Sequence, residues 1–145
     1  MPEADDDRGS TLLLLPSAVL VLFLLTALAV DGAATFLAQR QLADVCAGAA
    51  NDAAGVALDV DQLYGTAAGA ANPTADHARV LTVARARLAP LEARWGRPAD
   101  VDADVEGPEV SLRLAASVPL PIGPGGASRA RAEVTATCQA TTIRR

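Results

Sequence analysis

Few residues in this chain have types and spacings that could do chemistry. The candidates are one histidine (His77), two cysteines (Cys46 and Cys138) and an acidic run at Asp100, Asp102, Asp104 and Glu106. The run resembles the start of a calcium loop, in which carboxylates at alternate positions converge on one cation. It fails that frame because its sixth position is Val105, where the turn needs glycine, and no glutamate stands at the twelfth. Alternation with Val101, Ala103 and Val105 predicts instead the wet face of a strand. Asp59 and Asp61, with no histidine near them in sequence, read as a solvated helix end. For His77 to act as a general base, a nucleophile and an orienting carboxylate would have to stand beside it, and no motif supplies either. The Gly-Pro-Gly-Gly run at 123–126 lacks the following lysine and helix signal of a phosphate cradle, and reads as a hairpin loop. No catalytic residue, metal site, cofactor or small-molecule substrate is expected.

Composition excludes a further class. All basic residues are arginine, 12 in number, and the net charge is −5, a poor match for a polyphosphate surface, so no nucleic-acid partner is expected. The 145 residues suffice for one compact domain. They are 51% hydrophobic but only 3% aromatic, so the apolar content is aliphatic and rich in alanine.

Residues 9–30 carry no charge, and residues 11–30 read TLLLLPSAVLVLFLLTALAV. About 20 residues of helix, at about 1.5 Å each, span the roughly 30 Å of bilayer hydrocarbon. Pro16 lies in the first turns, where it costs least. The expected layout is a cytoplasmic leader (1–10), a transmembrane helix (11–30) and an extracytoplasmic head (31–145). The alternative is a secretory signal cut near Ala29, since Ala27-Leu28-Ala29 has small-x-small spacing. Against it stand the acidic leader MPEADDDRGS and the length of the apolar run. Arg8 and Arg40 flank the segment almost evenly, so charge does not set the orientation. Cys46 and Cys138 both fall on apolar faces, and a pair joined by the fold suits an oxidising compartment, which places the head outside. Two buried free thiols in a cytoplasmic head are the alternative.

Beyond the membrane, Ala34, Leu37, Ala38, Leu42, Val45, Cys46, Ala49, Ala53 and Val56 recur at three- and four-residue steps, with Asp31, Arg40, Asp44, Asn51, Asp52 and Asp59 on the other side. One helix over about 11–58 is predicted, interrupted only by Gly48 and Gly55. A turn-rich stretch at 64–74 precedes a second helix over about 75–95, capped by Thr74. Its apolar face is Val80, Leu81, Ala84, Leu88, Leu91 and Trp95; Arg79, Arg85, Glu92 and Arg94 face water, and Pro90 should kink it or end its regular part early. The period then changes to two. Val101, Ala103 and Val105; Val110, Leu112 and Leu114; and Ala130, Ala132, Val134, Ala136 and Cys138 alternate with polar residues. Gly107-Pro108 and 123–126 mark the turns of a three-stranded antiparallel sheet with one wet face. The fold class is α+β, with both helices covering the apolar face of the sheet. That brings Cys46 and Cys138 to one buried layer, and a disulfide there would contribute about 3–5 kcal/mol on the chain-entropy model.

The order of features resembles the TadE/TadG-like proteins of tight-adherence (Flp-type) pilus systems. Arg8-Gly9-Ser10 precedes the apolar run, Val30-Asp31-Gly32 closes it, and Gln39-Arg40-Gln41-Leu42-Ala43-Asp44 and Asn51-Asp52-Ala53-Ala54-Gly55-Val56-Ala57 follow. The resemblance covers about the first 58 residues. It implies a pilin-like or minor pseudopilin role with lipid and other pilin-like or pilus-assembly membrane proteins as partners. It also implies processing after Gly9, leaving Ser10 as the new N-terminus. Leu14 stands at the fifth position after Gly9, where TadE-type substrates usually carry glutamate, so a permanent anchor is expected over a major subunit. A membrane-tethered extracytoplasmic binding module with the same topology is the second reading. A domain secreted by cleavage near Ala29 is the third.

Overall fold

The structure is a computed structural model and describes residues 8–57, 77–106, 109–123 and 130–141. Its elements follow the α+β order expected: helix α1 (Arg8–Ala57), helix α2 (His77–Trp95), then strands β1 (Asp100–Glu106), β2 (Glu109–Pro119) and β3 (Arg131–Thr141). The strands form one antiparallel sheet in the order β1-β2-β3.

α1 is a 50-residue helix, about 75 Å long. It runs unbroken through Gly48 and Gly55, where interruptions were expected. A glycine costs a helix only about 1 kcal/mol against alanine, and the packed alanines on either side outweigh it. Those alanines are Ala49, Ala50, Ala53 and Ala54, all buried. Leu37 and Val56, assigned to the buried stripe from their spacing, are instead exposed at 57% and 43%. The stripe is narrower than the spacing suggested because the head lies on one side only. α2 does not stop at Pro90 but continues to Trp95. Gly96 ends it at φ +70°, donating its N–H to the Glu92 carbonyl at 2.8 Å, a left-handed cap that glycine adopts without strain.

The sheet register sets Ala103 opposite Leu112 and Leu112 opposite Cys138, with Val105–Val110–Ala140 and Val101–Leu114–Ala136 as adjacent rows. Ala116 and Val118 extend the buried face of β2 beyond the segment predicted for it. α1 packs over β3 and β2, and α2 over β1 and along α1. The core is Leu42, Cys46, Val80, Ala84, Leu88, Val110, Leu112 and Leu114 with the surrounding alanines; no side chain in it is polar or charged among the described residues. The stretch at 64–74, Thr74, Asp59, Asp61 and Gly107-Pro108 lie outside the described residues, as do most of the 123–126 loop and the last two arginines.

Candidate functional site

Two regions can act on surroundings: the apolar half of α1 and the end of the head that meets it. From Leu14 to Leu28, the large apolar side chains are 52–74% exposed, and no part of the head covers them. α1 is long and apolar enough to cross a membrane, and its most apolar stretch is wholly unburied. The hydroxyls within it turn inward on the helix. Ser17 donates to the Leu14 carbonyl at 2.9 Å and Thr26 to the Leu22 carbonyl at 2.8 Å. Hydrocarbon demands that polar groups be satisfied within the segment itself. A soluble core helix would instead bury one face of this stretch against its own protein.

Where the uncharged run ends, Asp31 does something its place in the sequence does not reveal. Its carboxylate accepts the backbone N–H of Ile122 on Oδ1 and that of Gly123 on Oδ2, each at 2.9 Å. Spacing assigns it to the polar side of α1, at the end of the apolar run. It is instead half-buried and holds the turn that follows β2. Gly123, at φ +70° and buried, lets that turn bring two successive N–H groups onto one carboxylate. Such a contact is invisible to spacing rules, because its donors are main-chain groups 91 and 92 residues away.

A second tie is covalent. Cys46 and Cys138 form a disulfide with Cα atoms 5.8 Å apart, joining the buried face of α1 to β3. Residues 31 and 46 are separated by roughly 22 Å of helix at about 1.5 Å per residue, so the two ties fix the head along α1 as well as across it. A third contact, Arg87 Nε to Asp52 Oδ2 at 2.6 Å, links the two helices at the solvent-facing edge.

At the C-terminus of α2, the half-buried Arg131 donates to the Trp95 carbonyl at 2.7 Å, the Ser117 carbonyl at 2.9 Å and Ser117 Oγ at 3.0 Å. A cation on the last helical carbonyl is favoured by both hydrogen bonding and the helix dipole. Glu92, expected to face water, is half-buried and accepts the Ala99 N–H at 2.8 Å, closing the α2–β1 turn. Arg97, Ser117, Arg131, Asp100 and Glu133 border an open groove of about 670 Å³ beside these contacts.

The remaining sequence candidates stay apart. His77 is the exposed first residue of α2. Asp100, Asp102, Asp104 and Glu106 stand exposed along the outer face of β1, where the pleat separates them, and Asp102 lies opposite Arg113. Among the described residues, no group of three or more His, Cys, Asp or Glu side chains converges on a metal-sized space. Gly9 and Ser10 lie in the first turn of α1. Comparison of the chain with protein-family models, curated sequences and solved structures gave no match in any of the three.

Proposed function

We propose that this chain is a membrane-anchored structural component, minor pilin- or pseudopilin-like, of a tight-adherence pilus or related secretion apparatus. In this reading, its N-terminus is cytoplasmic and its head extracytoplasmic. The observation that carries the anchor is the unburied apolar run of α1, continuous with a half of the same helix that packs into the core of the head. Lateral packing of that helix is then the working chemistry of the molecule, and the head is a rigid cap on it. The Cys46–Cys138 disulfide supports placing the head in an oxidising compartment. The short motifs from Arg8 to Ala57 support the pilus assignment over a generic tethered module.

The test is a photo-crosslinking amino acid at Phe36, 65% exposed just beyond Asp31, in the native host. The expected adduct is an apolar helix of another pilus- or secretion-assembly protein, and cells lacking this chain should lose surface fibres or secretion. Unaltered fibres and secretion in those cells, with adducts to lipid alone, would contradict the pilus reading.

A further inference from the structure

We propose that the turn at 119–123 is a membrane-contacting foot, which seats the head on the boundary between lipid headgroups and acyl chains. The inference rests on the anchor reading and adds to it a second, independent contact with lipid. Its geometry comes from the Asp31 clamp. The two hydrogen bonds from Ile122 and Gly123 hold this turn beside the residue at which the uncharged run of α1 ends. A helix that leaves the hydrocarbon near residue 30 therefore sets the turn at the height of the interface.

The composition of the turn suits that place. Pro119, Leu120, Pro121 and Ile122 carry no charge, and the prolines withhold N–H groups that would otherwise need partners. Pro119 and Pro121 are exposed, while Leu120 and Ile122 are half-exposed. Apolar side chains at the end of a soluble head gain by partial burial at an acyl boundary.

Both signs of charge stand beside the turn. β2 descends to the turn and β3 rises from it, so Pro119 pairs with Arg131 at the near end of the sheet and Glu109 with Thr141 at the far end. Arg131 and the exposed Arg97 border the near-end groove, and the exposed Arg94 lies next to Trp95, whose carbonyl Arg131 holds. Asp100 and Glu133 share that groove, but Asp104, Glu106 and Glu109 stand toward the far end. Arg94 and Arg97 can reach lipid phosphates from the near end, but Asp31, Glu92, Asp100 and Glu133 stand among them, so the apolar turn rather than net charge carries the contact.

The experiment uses the full chain in vesicles of phosphatidylcholine and phosphatidylglycerol. Single cysteines at Pro121→Cys, Ser111→Cys and Leu22→Cys carry an environment-sensitive fluorophore, with the native cysteines left in their disulfide. Quenching is read from lipids spin-labelled near the headgroup and along the chain, and Trp95 emission checks the fold of each variant. The expected result is strong quenching at Leu22 by the chain label. At Pro121, the shallow label should quench several times more than at Ser111, and Asp31→Ala should lower that quenching. Quenching at Leu22 with Pro121 no more quenched than Ser111 overturns the foot and leaves the anchor standing. An apolar environment at Pro121 without lipid quenching also overturns it, because a protein then covers the turn. Absence of quenching at both Leu22 and Pro121 overturns the anchor and the foot together.

Discussion

At the scale of single residues, the polar contacts of this head differ widely in what they can contribute. Asp31 accepts two main-chain N–H groups from a half-buried position, so removing its carboxylate leaves both donors to find water or remain unpaired. Asp31→Ala should lower the unfolding free energy of the head by about 1–3 kcal/mol, read from urea denaturation followed by Trp95 fluorescence. Arg87 and Asp52 form the one ion pair among the described residues, with side chains 59% and 39% exposed. An exposed pair of long side chains contributes little, so Arg87→Ala should cost under about 1 kcal/mol in the same assay. Equal losses from the two substitutions would show that the Asp31 contact is no more than a surface interaction. The difference rests on where the hydrogen-bonding partners sit, since both contacts involve one aspartate on the same helix.

At the scale of elements, the head depends on a few large side chains set among alanines. Leu42, Leu88, Leu112 and Leu114 are fully buried at the junction of both helices with the sheet. Leu112→Ala should cost about 2–5 kcal/mol, because small neighbours can only partly collapse into the space it leaves. Leu22→Ala, on the unburied half of α1, should leave the urea midpoint of the head unchanged when both proteins are held in one detergent. How much of this was legible follows from the kind of signal each element carries. The three strands were readable because Asp100 to Glu106, Val110 to Leu114 and Ala132 to Cys138 alternate without a break. The junction of α1 with the head was readable in outline, because an all-apolar run passes into a one-sided stripe at Asp31. Its width was not, since Leu37 has the right spacing but lies beyond the edge of the sheet. The extension of β2 through Ala116 and Val118 to Pro119 was hidden by the adjacent alanines Ala115 and Ala116, which blur the alternation. α2 reaches Trp95, the end expected of it, because the packing of Leu91 and Trp95 against the core carries the helix past Pro90. The Asp31 clamp was not legible at all, because its partners are backbone N–H groups that any residue but proline would supply.

At the scale of the whole molecule, one helix has two unlike halves. Its first half presents apolar side chains on every side, and its second half presents a narrow face of small residues to a sheet and a second helix. The clamp and the disulfide tie the head to that shared helix at two points, so a lateral contact made in the apolar half would be transmitted to the head as a rigid displacement. In the proposed reading, this coupling is what an anchored structural component would use, and a cleaved, secreted head would lose it. The most direct measurement is the intact mass of the chain recovered from membranes of its host, before and after reduction, with thiol alkylation at each stage. The account predicts a mass that retains residues 11–30, with no alkyl group added before reduction and two added after it. A mass beginning near Val30 in the soluble fraction would contradict the anchor, and two alkyl groups added without reduction would contradict an oxidised, extracytoplasmic head.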